Sequence, residues 1–406
     1  MTDRLYYPDP YLYTFDATVQ RVERQDDRLL VTLDRTAFYP TSGGQPFDTG
    51  LLGTMRVVDV IDDDDGSVVH VVDPAMNRES PVPSPEPGQL LTGVIDWSRR
   101  FDHMQQHTGQ HVLSAAFDRL FGIRTVSFHL GAAVSTIDLA REAAPNEIAA
   151  AEAEANRVVW ENRPVTIRYA TAEEAARMPL RKEPARGGLL RLIDVDDFDL
   201  SACGGTHVAR TGGIGLIAVA SWERFKGGQR IEFLCGGRAL DRWRSLRDIA
   251  AASVRQLSVL PADLPAAIER LQAEAKEQKR AMTALQVDLA RYRAGELADS
   301  AEVVTLKASG TARLVARAVD ADAHGLKALA SAIVVRPGHV VVLVSASEPA
   351  LVAIARSADV AVSAQQVLSA LTSAFGGRGG GKPDFAQGGG LQAPPDTILA
   401  AARAAL

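Results

Sequence analysis

Over the first 92 residues the apolar positions come in short alternating runs, LLVTLD (29–34), MRVVDVI (55–61) and SVVHVV (67–72), separated by Gly, Pro and Asp. A period of two with closely spaced turn residues predicts short strands, and so many in so little chain predict a small β-barrel or sandwich over 1–92. PVPSPEPG (81–88) predicts a loop or joint. Beyond residue 93 the period changes. Within 100–121, Val112, Leu113, Ala116, Phe117 and Leu120 recur at helical spacing, and the Ala- and Glu-rich 144–162 is helical too. Strand-like runs follow (PVTIRYA, IGLIAVAS, RIEFLCG), so 93–238 reads as an α+β domain.

Between Pro261 and Leu297, positions Ile268, Leu271, Ala275, Met282, Leu285, Leu289 and Tyr292 stand three and four apart, broken only at Gln278. Such a heptad seam makes 239–301 a helical linker whose apolar edge is covered by a hairpin or by a second copy, a homodimer through the 261–297 helix. Residues 302–406 return to an α/β rhythm, with strands near LVARAV and HVVVLVSA and helices near Asp322–Ile333 and Ser363–Phe375, and include GGRGGGKPDFAQGGG. The predicted fold class is therefore α+β, in four parts.

Composition narrows the class. A chain of 406 residues, 46% hydrophobic and 23% charged, predicts roughly two to four globular domains. The start, MTDRLYYPDPYLYTF, is polar, and no run reaches the ~18 apolar residues of a membrane span, so a cytoplasmic location without membrane contact is expected. Two cysteines, Cys203 and Cys235, cannot build a disulfide framework. A net charge of −6 argues against wholesale wrapping of nucleic acid and leaves room for local contacts at basic clusters: Arg181, Lys182 and Arg186; Arg224, Lys226 and Arg230; Arg378 and Lys382. The acidic run Asp62 to Asp65 reads as an exposed turn.

The chemistry gathers in two short motifs. HTGQH (107–111) puts two histidines on one helix face, where they either pack or hold a metal. CGGTH (203–207) adds a cysteine and a histidine across a Gly-Gly that permits a tight turn. His107, His111, Cys203 and His207 together form a Cys/His₃ set suited to zinc. A metalloprotease motif would need a glutamate where Thr108 stands. His103 lies one turn earlier on the same helix and is expected to support the ligands, face RNA, or pack.

HTGQHVLSAAF and SACGGTHV, with DRTAFYPTSGGQPFDTG at 34–50, resemble the editing region of alanyl-tRNA synthetases and of the freestanding AlaX proteins. DHMQQHTGQH is particularly similar to the long freestanding members, and 302–406 resembles the synthetases' C-terminal domain, which some phosphoesterases also carry. An Asp-His-His phosphoesterase motif is missing, and the chain leaves no room before the barrel for an aminoacylation domain, so no activation of alanine is expected.

The resemblance implies a zinc-dependent deacylase acting on mischarged Ser-tRNA(Ala), with Gly-tRNA(Ala) as a second candidate, and sparing Ala-tRNA(Ala). A synthetase pocket shaped for a methyl group rejects an added hydroxyl only ~10²-fold, whereas a second site that hydrogen-bonds that hydroxyl discriminates far better. It also implies a polar threonine and a Gly-Gly-Gln turn beside the pocket, here Thr36, Gly43, Gly44 and Gln45. Thr36, Gln45 and His103 are thus the expected catalytic group, Gly43 and Gly44 substrate contacts, and Arg378 and Lys382 phosphate contacts beside backbone N–H groups of the glycine run. The alternative is a noncatalytic zinc-containing protein that binds tRNA or another partner.

Overall fold

The computed structural model describes residues 1–73, 84–181, 188–306 and 310–406. Residues 81–83 of the expected joint, and Lys182 and Arg186 of the first basic cluster, lie outside the described residues. Two compact units are present, Met1–Ala252 and Ser253–Leu406.

The first unit opens with a closed six-stranded barrel, whose strands in spatial order are Thr14–Gln25, Arg28–Leu33, Val68–Asp73, Met55–Asp62, Gly50–Leu52 and Leu90–Ile95. Alternation does what its period requires: Leu29, Val31 and Leu33 point inward with Val57, Val60, Val68 and Val72. The acidic run lies exposed at a turn, where Asp62 pairs with Arg4 at 2.5 Å.

Helix α1 (Trp97–Phe121) follows at once. The Asp96 side chain caps it by accepting from Arg99 N, and Gly122, at φ 62°, ends it in the left-handed conformation that glycine adopts without strain. Nearly every residue from His103 to Phe117 is buried, because elements pack on it from several sides. Helix α2 (Pro145–Trp160) turns Ile148, Ala151, Ala155 and Val158 into the same core. An antiparallel sheet of Ile217–Phe225, Gly228–Cys235, Ser135–Leu139 and Thr125–Leu130 completes that core. Val165–Thr171, Leu189–Val195 and Asp199–Ala202 form a second, three-stranded sheet.

In the second unit a mixed six-stranded sheet carries helices on both faces. Val340, Val342 and Val344 pack with Leu368, Leu371 and Ile398 on one side; Val341 and Leu343 pack with Leu326, Leu329 and Ile333 on the other. Burial on both faces explains the unbroken apolar run HVVVLVS. Arg313–Val319 and His339–Ser345 are its parallel pair, joined through the helix Ala323–Ile333.

The heptad seam takes another form than expected. A 36-residue helix, Leu264–Asp299, does form, but all seven seam positions are exposed, Leu285 to 70% and Tyr292 to 82%. Its buried stripe is Ala290, Ala294 and Ala298, where small side chains let the helix lie close to its neighbours. No helix of the described residues is long and apolar enough to cross a membrane.

Candidate metal centre

HTGQH and CGGTH meet inside the first unit. α1 presents His107 and His111 on one face, while the strand Asp199–Ala202 delivers Cys203 at its end. The donor atoms of His107, His111, Cys203 and His207 all lie within 4.8 Å of one another. Cys203 Sγ stands 3.3 Å from His107 Nε2 and 3.4 Å from His207 Nε2. The edge between a sulfur and a nitrogen ligand of a tetrahedral zinc is about 3.6 Å, so the donors are already near the spacing such an ion needs.

Each imidazole is held from behind. His107 Nδ1 donates to Gln45 Oε1 at 2.9 Å, His111 Nδ1 to the Asp199 carboxylate at 2.9 Å, and His207 Nδ1 to Thr108 Oγ1 at 3.2 Å. The Thr108 hydroxyl spends its own proton on Met104 O, 2.8 Å away, so it must accept from His207. These three bonds turn every Nε2 toward the common point, the arrangement that fixes tautomer and aim in metal-binding histidines.

The glycines answer to close approach. A Cβ on Gly205 would stand 2.2 Å from His107 Cε1, and one on Gly109 would stand 2.2 Å from Cys235 Sγ. Cys235 is thus a packed, buried thiol. Thr206 clasps Gln45, accepting from its Nε2 at 2.9 Å and donating its own N–H to Oε1 at 3.1 Å.

The charges suit a cation. Burial pushes the Cys203 thiol up, but His107 beside it, with hydrogen bonds from His107 and His111, outweighs burial and holds it well below the ordinary thiol range. Burial takes His207 down to about 3, keeping its ring neutral. At His111 burial also works downward, yet Asp199 and Cys203 prevail and raise it to about 9. Asp199 is lowered to about 2: burial opposes the shift, and His111 and Arg181 overcome it. A thiolate with imidazole nitrogens is a soft donor set that fits zinc.

A cavity of about 380 Å³ opens onto this group, lined by Gly43, Gly44, Gln110, His111, Phe128, Arg181, Cys203 and Gly204 among others. Gly43 and Gly44, at φ 53° and 80°, form a turn closed by Ser42 and Gln45, and a Cβ on Gly44 would meet the Phe128 ring at 2.8 Å. A larger hollow of about 1000 Å³, beside Arg4 and Asp62, holds none of the expected site residues.

Three expected catalytic residues take other places. Thr36 is fully buried in the barrel, its hydroxyl bonded to His70 Nε2 at 2.8 Å and to Phe38 N at 3.1 Å, and it does not line the cavity. Gln45 is buried behind the donors, with its amide committed to His107 and Thr206, so it positions a ligand. His103 belongs neither to the donor group nor to the cavity wall; burial holds its ring down at about 4.

The second unit carries the other two. Arg378–Gly381 pairs with Phe385–Leu391 as a hairpin at the sheet edge, so part of the glycine backbone is already bonded rather than open to phosphate. Arg378 and Lys382 are exposed there. Among the other basic residues, Arg181 pairs with Asp199, Arg224 with Glu142 and Arg230 with Asp138.

Sequence reasoning passed over Asp199, Thr108, Arg100 and Asp48. The last two form a fully buried ion pair, Arg100 also donating to Pro10 O and Ala37 O, which ties the barrel to α1. Nothing local marked them: Arg100 stands among Asp96, Arg99 and Asp102, and Asp48 lies in the polar, glycine-containing stretch TSGGQPFDTG.

Comparison with known proteins adds the family. Residues 190–232 match the threonyl and alanyl tRNA synthetase second additional domain, and residues 310–406 match the DHHA1 domain. The chain is 30% identical over 409 residues to the alanyl-tRNA editing protein AlaX-L of Pyrococcus horikoshii, covering 98% of this chain and 97% of that protein. The chain belongs to the AlaX-L family of alanyl-tRNA editing proteins. It is also 34% identical over 402 residues to the alanine–tRNA ligase of Pyrococcus abyssi and 36% identical over 406 residues to that of Natronomonas pharaonis. It spans 42% of the length of each ligase. The first matched segment includes Cys203 and His207 and leaves out the α1 histidines, which the fold brings to them.

Proposed function

We propose that this chain is a trans-editing deacylase that hydrolyses Ser-tRNA(Ala) while sparing Ala-tRNA(Ala). The observation that carries it is the cavity whose wall includes two of the four donors, His111 and Cys203, opposite the Gly43–Gly44 turn. Family membership and the editing role in the name of the Pyrococcus horikoshii relative support the substrate class.

His107, His111, Cys203 and His207 would hold zinc, with Gln45, Asp199 and Thr108 orienting the rings. Bound there, zinc would supply positive charge at the cavity wall that holds the 3′ end, and it would act as a Lewis acid on the ester carbonyl only with one of the four donors released. The Gly43–Gly44 backbone lets the esterified ribose approach closely, and Phe128 offers an aromatic face to the terminal base. Water adds to the ester carbonyl carbon, the bond to the ribose oxygen breaks, and that oxygen takes a proton, leaving serine and free tRNA.

Arg378 and Lys382 contact tRNA phosphates in this reading, and the exposed 261–297 seam pairs with a second copy. Light scattering at low micromolar concentration tests the pairing; a monomer there removes it.

The main test measures zinc content and deacylation of Ser-tRNA(Ala) and Ala-tRNA(Ala) by the purified chain and by Cys203→Ala. About one zinc per chain and selective release of serine are expected, both lost in the variant. Binding of tRNA without release of serine would instead favour the noncatalytic zinc-containing tRNA-binding protein.

A further inference from the structure

Among the described residues, six buried side chains keep a polar atom without a hydrogen-bond partner, and of these Gln110 alone lines the cavity beside the donors. Gln110 precedes His111 on α1 and is 2% exposed. Its Nε2 donates to Ser114 Oγ at 2.8 Å, and Thr125 Oγ1 lies 2.8 Å from the same oxygen. The amide nitrogen is therefore engaged with the protein, and the amide oxygen is left over. Burying a carbonyl oxygen unpaired is unfavourable unless something else bonds to it.

We propose that Gln110 Oε1 accepts a hydrogen bond from the hydroxyl of the seryl group, and so sets the preference for seryl over alanyl esters. This rests on reading the cavity as the editing site. An alanyl ester has no hydroxyl and leaves the oxygen unpaired, so the penalty falls on the correct product. A neutral acceptor matches a neutral donor, and Arg181 in the same wall disfavours turning the substrate's ammonium toward it. Thr36, the polar threonine expected beside the pocket, has its hydroxyl spent on His70 and Phe38.

The test uses Gln110→Met, which keeps length and removes the acceptor, and Gln110→Glu, which keeps an oxygen there. Calorimetry measures binding of adenosine carrying seryl or alanyl through a non-hydrolysable 3′-amide, alongside the deacylation rates of both tRNAs. Zinc content and tryptophan fluorescence check that each variant is folded. In wild type the seryl analogue binds more tightly; in Gln110→Met that preference falls roughly 10–100-fold, the size of one buried hydrogen bond, because seryl binding loses its acceptor and alanyl binding no longer strands one. Gln110→Glu retains a preference for seryl. Preference unchanged in Gln110→Met, or equal weakening of both analogues in either variant, overturns the assignment and leaves the editing site standing. Wild type that binds neither analogue and releases no serine overturns the editing reading, and the assignment with it.

Discussion

His70 sits at the centre of the barrel in its neutral form, Nδ1 donating to Val31 O at 3.0 Å while Nε2 accepts from Thr36. Burial depresses its pKa from 6.5 to about 4. Between those values the unfolded chain takes up a proton that the folded chain refuses. Stability that is complete above pH 6.5 is therefore lost as pH falls toward 4, by up to about 3 kcal/mol for this group. His103, lowered to about 4 mainly by its own burial, acts in the same direction. All four tryptophans, Trp97, Trp160, Trp222 and Trp243, lie in the first unit, so their fluorescence in denaturant isolates it. The unit is expected to weaken steadily from pH 7 to pH 4.5, and His70→Gln to flatten part of that slope; an unchanged slope would place the acid sensitivity elsewhere. Thr36→Val strands His70 Nε2 and Phe38 N and should cost about 1–3 kcal/mol at pH 7. At this scale the four residues of the candidate metal group were legible because Cys and His at those spacings are uncommon. The place of Thr36 was not, since a strand threonine looks the same whichever way it faces.

α1 is the element on which the site depends. Its apolar spacing made it readable over 100–121, within a turn of its true ends, while the Asp96 and Gly122 caps that fix those ends came only with the structure. Its orientation comes from elsewhere: Arg100 reaches into the barrel to Asp48, and Gln106 bonds both Cys235 N and Cys235 O on the facing strand. Removing one partner of a fully buried ion pair leaves the other charge uncompensated, so Arg100→Met should destabilise the first unit by about 3–5 kcal/mol. Adding Asp48→Leu should recover much of that loss, as read by the same fluorescence in denaturant. A single variant as stable as wild type would show that the pair does not hold barrel and helix together. The helix Leu264–Asp299 teaches the converse. Its seam was legible as a pattern, yet the alanines 290, 294 and 298 are what it buries, because contact with a neighbouring helix and sheet selects for small residues rather than for hydrophobicity alone.

Across the whole molecule, selection of tRNA is expected to rest on a few cations rather than a broad basic surface, since the net charge is −6 and many arginines are already paired. Arg378→Glu with Lys382→Glu should weaken tRNA binding at low salt and lower the slope of log affinity against log salt by about two phosphate contacts. An unchanged slope would remove both residues from the RNA interface. The sequence by itself determined the α+β class, the barrel's alternation, the positions of the long helices and the identity of the four donors. These are local properties, set by periods of two and 3.6 residues and by uncommon residue types. Tertiary structure alone decided that Gln45 stands behind His107, that Asp199 aims His111, that Thr36 faces His70, and that Gln110 keeps a bare oxygen in the cavity wall. Apart from the barrel pair, those relations join residues from 62 to 88 positions apart, or depend on a missing partner, and no local period carries either.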